Sequence, residues 1–218
     1  METMKIQDIL LLIATGLVAL YLIWRFVQHY RSPNKNRSDI YYSIAFAVLL
    51  IAGLLLVFLG YATALLDPDV SPWVIIVSVL IPVGISLGLV TDLLPKYEKP
   101  YLAFGVVGLA AIAVTRFVGP AMLATTILII VHAVAGLIIF GLPIWAVGTR
   151  KAPGGFIGVT VGGLLIGIGG IALASLKTAG TPLFGIFDLD TILLILAPLL
   201  LLMTLAYTWG FVTKLVKA

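Results

Sequence analysis

The sequence predicts an all-α integral membrane protein, a single bundle of seven transmembrane helices, from its composition, its long apolar runs and its charge distribution. The chain has 218 residues, of which 62% are hydrophobic and 10% charged, and its mean hydropathy is +1.23. A soluble domain is roughly 45–50% apolar and about 25% charged, so a water-soluble fold could not bury this much apolar surface. We therefore expect a multi-pass protein of the cell membrane.

The apolar runs define seven spans, because a hydrocarbon core about 30 Å thick requires about 20 residues of helix. The predicted spans cover residues 8–28, 41–66, 72–95, 100–118, 121–147, 155–176 and 189–213. The gaps are too short for a separate soluble domain, so residues 1–218 form one transmembrane domain. We expect Ser71 to cap span three, and Asp188 or Asp190 to cap span seven.

The basic residues alternate between the gaps. They fill the first, third and fifth gaps and the C-terminus: Arg31, Lys35, Arg37, Lys96, Lys99, Arg150, Lys151, Lys214 and Lys217. Because positively charged loops stay in the cytoplasm, the N-terminus is predicted to lie outside and the C-terminus in the cytoplasm. The net charge of +4 thus sits at helix ends, where it favours contact with anionic lipid and gives no reason to expect nucleic acid as a partner.

An internal repeat of three plus one plus three helices fits this pattern. Residues 8–95 and 121–213 would be parallel halves joined by the linker helix 100–118. In each half the first loop is basic, the second contains Asp-x-Asp, and the third helix contains a proline, Pro82 or Pro198. Acidic outer loops and intramembrane prolines also occur without any repeat, so both interpretations stay open.

Glycines indicate where helices pack closely, since a missing side chain lets two backbones approach. Span six has glycines on more than one face and is expected inside the bundle. The predicted packing glycines are Gly84, Gly88, Gly158, Gly162, Gly163 and Gly167. Glycine beside proline, as around Pro82, is also typical of a hinge or a broken helix at a binding site.

His132 is predicted near the bilayer centre, where an ionisable side chain is costly and is a functional candidate. One interpretation is a neutral, structural imidazole bonded to a backbone carbonyl or to a threonine hydroxyl, with Thr125, Thr126 and Thr160 the nearest candidates. The other is a role in proton transfer, in quinone binding or in haem ligation. His29 lies too far from His132 in depth for bis-histidine ligation, whereas Met203 lies at a similar depth and is the candidate second haem ligand.

The remaining polar candidates lie near the span ends. Asp92 is expected to pair with Lys96 one turn later, and Arg116 to extend its side chain to the outer interface. A cation could be bound by the carboxylates of the two Asp-x-Asp loops, which are Asp67, Asp69, Asp188 and Asp190. Helix capping is the simpler role for the same residues.

Three functions compete on this evidence. Spans poor in polar residues and rich in glycine favour a non-catalytic scaffold or accessory subunit, whose partners would be other membrane subunits or further copies of this chain. The paired prolines favour a small transporter or channel with a site near Pro82, Pro198 and His132. His132 alone favours an electron-transfer or quinone-binding subunit. The chain contains no cysteine and no motif of a hydrolase or nucleotide-binding enzyme, so no residue is assigned a catalytic role.

Overall fold

A computed structural model describes residues 5–179 and 185–217, apart from the side chains of Ala121 and residues 173–179. It contains seven long helices: α1 (Ile6–Tyr30), α2 (Ser38–Leu66), α3 (Ser71–Leu93), α4 (Glu98–Val118), α5 (Ala121–Gly148), α6 (Ile157–Ala179) and α7 (Leu189–Lys217). Single 3₁₀ turns, Pro95–Tyr97 and Gly154–Phe156, precede α4 and α6. All seven helical segments are long and apolar enough to cross a membrane. The predicted fold class, an all-α bundle of seven spans, is confirmed.

Two helices are longer than expected at the end of the bundle that carries Lys35, Lys96 and Arg150, which we call the basic end. Helix α2 begins at Ser38 and therefore includes Asp39 in its first turn. Helix α7 continues to Lys217 and places Lys214 in its last turn. Both extensions add charged residues to helices, and hydropathy alone had placed these residues outside the spans.

Aspartate side chains bind backbone N–H groups just before or at two helix starts at the opposite end, which we call the acidic end. The Asp67 carboxylate accepts hydrogen bonds from the backbone N–H groups of Asp69 and Val70, in the turn that precedes α3. The expectation that Ser71 caps α3 is wrong, because Ser71 is already the first helical residue and α3 has no side-chain cap. At α7 the Asp188 carboxylate accepts from the Thr191 N–H at 2.8 Å, as expected for a cap.

The helices form a ring in chain order, with α4 on its outside. Consecutive helices contact each other from α1 to α3 and from α5 to α7, and the ring closes through contacts of α3 with α5 and of α7 with α1. Helix α4 packs mainly on α3 and α5, and its first residue, Glu98, also contacts Tyr41 of α2. A three-plus-one-plus-three repeat would give these contacts, but so would any sequential ring, so the repeat stays a prediction.

Two apolar clusters fill the described part of the bundle. The larger one joins the six helices of the ring, and the smaller one attaches α4 to α3 and α5 through Val79, Val83, Ile112 and Val131. The larger cluster contains an aromatic layer, which consists of Phe26, Tyr42, Phe46, Phe156, Tyr207 and Phe211. The ring of Phe211 lies at its centre, with its centroid 4.5 Å from that of Tyr42 and 5.2 Å from that of Phe26.

Gly60 interrupts α2 near the acidic end. Its backbone has φ 74° and ψ 163°, a conformation that residues other than glycine rarely adopt. The helix therefore breaks there and resumes at Tyr61. The apolar pattern continues through Gly60, which is why the sequence indicated an unbroken span.

The predicted packing glycines fall into three groups by what a Cβ at each would meet. Gly84 and Gly88 face α2, where a Cβ would lie 2.9 Å from the Ala45 Cβ and 2.3 Å from the Tyr42 ring, respectively. In α3 both glycines therefore permit close packing against α2. Substitution at Gly84 would also approach the Tyr41 carbonyl oxygen, at 3.3 Å.

Helix α6 packs by its glycines on both α5 and α7. A Cβ at Gly158 would lie 2.6 Å from the Ala206 carbonyl oxygen, and one at Gly162 would lie 2.8 Å from the Tyr207 ring. A Cβ at Gly163 would lie 2.5 Å from Ile139 of α5. At Gly167 a Cβ would meet no atom of the described residues within 4 Å, so its role in packing stays a prediction.

Candidate functional site

His132 lies half-buried in the middle of α5, beside α6. Its Nε2 atom is 3.5 Å from where a Cβ on Gly170 would stand. Among the described residues no hydrogen bond reaches the imidazole, and the hydroxyls of Thr126 and Thr160 donate to the carbonyl oxygens of Met122 and Phe140. The expected bond to one of those two threonines is therefore not formed.

Met203, the predicted second ligand of a haem, is 1% exposed and packs within the larger apolar cluster. His132 belongs to neither apolar cluster. Neither residue lines either of two apolar grooves on the surface of the described bundle. The pairing of His132 with Met203 at a haem therefore remains a prediction from depth.

The four loop aspartates do not assemble into one cation site. Within residues 5–179 and 185–217 no three His, Asp or Glu side chains cluster in a way that could hold a metal ion. The Asp67 carboxylate is occupied by the turn that precedes α3, and the Asp188 carboxylate by the capping bond of α7. Side-chain and backbone hydrogen bonds from Thr191 also lower the pKa of Asp188, which fits a capping carboxylate.

Asp92 pairs with Lys214 of α7, whereas the sequence predicts a pair with Lys96. The Lys214 ammonium contacts Asp92 Oδ2 directly, and both side chains are largely buried, at 19% and 15% exposure. Lys96 instead lies over the Tyr97 ring, 4.7 Å from its centroid. The local i,i+4 pair between Asp92 and Lys96 does not form, because the end of α7 brings the Lys214 ammonium into the protein interior beside Asp92.

Asn36 joins this ion pair to a second one. Its side-chain amide donates to Asp92 Oδ1 at 3.1 Å, and its backbone N–H donates to Asp39 Oδ2 at 3.2 Å. The same Asp39 oxygen accepts a hydrogen bond of 2.8 Å from Nδ1 of His29. Because a carboxylate can only accept, Nδ1 carries the proton.

The five residues His29, Asn36, Asp39, Asp92 and Lys214 form a connected network, which we call the polar clasp. It joins the basic ends of α1, α2, α3 and α7, and Asp39 also interacts electrostatically with Lys214. Asp39 is 2% exposed. The two buried carboxylates of Asp39 and Asp92 therefore interact with one ammonium, that of Lys214.

Three buried polar atoms beside the clasp make no hydrogen bond to any part of the chain that the structure describes: His29 Nε2, the Tyr42 hydroxyl and Thr91 Oγ1. Tyr42 lies close enough to Asp39 to feel its charge. An unsatisfied buried polar group costs about 1–3 kcal/mol of folding free energy. These three atoms therefore make the clasp a candidate functional site as well as a link between helices.

A smaller network ties α4 to α2 at the same end. Glu98 Oε1 accepts a hydrogen bond from the Tyr41 hydroxyl at 3.0 Å and lies 3.4 Å from the Arg37 guanidinium. Asp39, Asp92 and Glu98 are the acidic residues of the basic end, and each binds a residue on another segment. That minority of acidic residues was the signal in the sequence that could have revealed the networks.

The aromatic layer lies one helical turn inside the clasp. Phe26, Tyr42 and Phe211 each stand three residues from a clasp residue on the same helix, and the Lys214 ammonium is 5.0 Å from the Phe156 ring centroid. The charged residues of the polar clasp thus lie directly against the aromatic layer, which excludes water. The arrangement can hold four helix ends together.

Comparison with protein-family models, with curated proteins and with solved structures gives no match to this chain. The function of the chain must therefore be inferred from the geometry of the polar clasp and the aromatic layer.

Proposed function

We propose that this multi-pass membrane protein is a non-catalytic scaffold or accessory subunit of a larger membrane complex. The observation that carries the proposal is the filled interior at the basic end, where the aromatic layer closes the space between α1, α2 and α7. Phe26, Phe46 and Tyr207 are all at most 1% exposed. A bundle closed in this way offers its surface to partners.

The polar residues support the same function. At the basic end the charges of Asp39, Asp92 and Lys214 are used in bonds between helices, which fix the positions of four helix ends. The two surface grooves are almost entirely apolar. A bundle whose helix ends are fixed keeps one surface shape, as a subunit that binds neighbouring membrane proteins requires.

Purification from native membranes tests this proposal. The tagged protein is extracted in a mild detergent, separated by blue-native electrophoresis, and its co-migrating proteins are identified. We expect migration with other membrane subunits in defined proportion, and dissociation of them in a harsher detergent. A protein that migrates alone or only as copies of itself under the mildest extraction would contradict the proposal.

A small transporter is the second candidate, because the clasp has the form of a closed gate. Gly60 breaks α2 near the acidic end, and Pro82, Pro143 and Pro198 lie inside α3, α5 and α7, so four helices carry points at which they could bend. Opening would require the bond between Asp92 and Lys214 to break and the aromatic layer to separate.

Accessibility at Gly53 separates a gate from a fixed clasp. Gly53 is buried in α2, yet a Cβ there would meet nothing within 4 Å, so Gly53→Cys fits without distortion. In the purified, detergent-solubilised protein, where both ends are accessible, a fixed bundle should keep this thiol from an impermeant thiol reagent that labels Lys35→Cys within minutes. Steady labelling of Gly53→Cys in the folded protein would favour the transporter.

A further inference from the structure

An apolar groove of about 370 Å³ opens on the membrane side of the bundle near the basic end. Helix α3 contributes Val90, α4 contributes Tyr101 and Phe104, and α5 contributes Ile138 and Leu142. The groove lies where α4, the helix outside the ring, leaves the 3₁₀ turn that connects it to α3. Its surroundings in the membrane are lipid chains.

The groove is held open by bonds within the protein. The Tyr101 hydroxyl donates to Ser86 Oγ at 2.8 Å, and Ser86 in turn donates to the Pro82 carbonyl oxygen at 2.6 Å. The rings of Tyr101 and Phe104 lie against each other, with centroids 5.6 Å apart. The aromatic wall is therefore fixed, and the groove does not depend on a ligand to form.

The mouth of the groove carries positive charge. Tyr97 lines the groove, and the Lys96 ammonium lies 4.7 Å from the centroid of its ring. Lys99 is exposed and directly precedes Pro100, which also lines the groove. Two cations thus stand at the membrane surface above an apolar channel, which is the charge pattern that an anionic phospholipid complements.

We propose that this groove binds one anionic phospholipid, with an acyl chain between α3, α4 and α5 and the phosphate at Lys96 and Lys99. The apolar lining selects the hydrocarbon chain, and the two lysines select the negative headgroup. The site is independent of the polar clasp, and it holds whichever side of the membrane the basic end faces. A lipid in this position would fix α4 against the ring.

Native mass spectrometry of the purified protein tests the site with dioleoylphosphatidylglycerol and with dioleoylphosphatidylcholine, which have the same chains. We expect one phosphatidylglycerol to be retained in preference to phosphatidylcholine. Lys96→Ala with Lys99→Ala should weaken phosphatidylglycerol binding by about 10- to 30-fold, since each lysine near an anionic surface contributes about 5-fold. Leu142→Trp, which fills the groove, should abolish retention of the single lipid.

A matched control lies on the α5–α6 connection. The Lys151 ammonium is 4.2 Å from the Trp145 ring centroid, a similar cation over an aromatic ring that does not line the groove. Arg150→Ala with Lys151→Ala should leave binding unchanged. Equal retention of both lipids by the wild type would overturn the proposal, as would equal losses in the two double variants.

The groove variant separates a lipid chain from a surface headgroup contact. If Leu142→Trp melts at the wild-type temperature yet retains phosphatidylglycerol, the acyl chain lies elsewhere and the proposal fails. If Leu142→Trp does not fold, the variant Lys96→Ala with Lys99→Ala decides whether the proposal holds. Both lysine side chains are exposed, so their replacement leaves the packing of the bundle intact. A polypeptide that co-purifies and is displaced by Leu142→Trp would show a protein helix as the occupant and would also overturn it.

Discussion

Asp92 and Lys214 are separated by 122 positions in the sequence and form a direct ion pair at the basic end of the bundle. The contact ties the end of α3 to the end of α7, and Asn36 and Asp39 extend it to α2 and α1. Because both partners are largely buried, the loss of one leaves an unpaired charge in a poorly hydrated place.

The first prediction concerns that charge. Lys214→Met should lower the free energy of unfolding by about 3 kcal/mol, since removing one partner of a buried pair costs about 3–5 kcal/mol. The double variant Asp92→Asn with Lys214→Met should recover part of the loss, because the charge of Asp92 is then removed together with that of its partner. Thermal unfolding in detergent, followed by near-UV circular dichroism, measures both. Lys217→Met, at an exposed position on the same helix, is the control, and a loss there equal to that of Lys214→Met would refute the buried pair.

The second prediction compares two glycines of one helix. Gly158→Ala should destabilise the bundle by about 1–3 kcal/mol, because the new Cβ would press on the Ala206 carbonyl oxygen and the Gly210 nitrogen of α7. Gly167→Ala should be neutral or stabilising by about 0.4–1 kcal/mol, since it has room and restricts the unfolded chain. Melting temperatures in one detergent compare them directly. Equal melting temperatures for the two variants would show that α6 does not pack on α7 through Gly158.

The third prediction concerns His132, whose imidazole has no hydrogen-bond partner in the described part of the chain. His132→Leu should change the free energy of unfolding by less than about 1 kcal/mol, since it removes a polar group that no bond satisfies. His132→Gln is the polar comparison. If both variants fold but a native complex loses turnover or a bound chromophore, His132 has the functional role that its depth suggested. A loss of about 2 kcal/mol or more in His132→Leu would instead reveal a bonded, structural imidazole.

The fourth prediction concerns orientation, which rests on the charge pattern alone. Single cysteines replacing Lys35, Lys96 or Arg150 in this cysteine-free chain should resist impermeant thiol reagents in intact cells. Asp69→Cys, at the acidic end, should be labelled. Labelling at position 35 with protection at position 69 would reverse the orientation.

The sequence was sufficient for the spans because hydrophobicity acts locally and every span satisfies its own backbone hydrogen bonds. It was not sufficient for the polar clasp. Asp39 was assigned to a loop because hydropathy falls before α2, and Lys214 was interpreted as an orientation signal. Their partners are far apart in the chain, and only the arrangement of α1, α2, α3 and α7 brings them together.

Backbone geometry explains the other differences. Nothing in the apolar pattern distinguishes Gly60, where α2 breaks, from Gly53, where it continues. Gly158 and Gly167 look alike in the sequence, but only one faces a neighbouring helix within 4 Å. Which glycine is used for packing depends on the rotation of α6 about its axis, and that rotation is set by the neighbouring helices.

The distance between the basic ends of α2 and α7 tests the central claim, that the polar clasp holds the bundle in one shape, most directly. Spin labels at Lys35→Cys and Val216→Cys, both exposed positions, are measured by double electron–electron resonance in lipid nanodiscs at several pH values between 5 and 8, where histidine titrates. Labels at positions 96 and 150 provide a pair outside the clasp. We expect one narrow distance distribution that is unchanged across this range and that broadens in Lys214→Met. A second, longer distance in the wild type would show that the clasp opens, and would replace the scaffold with a gated transporter.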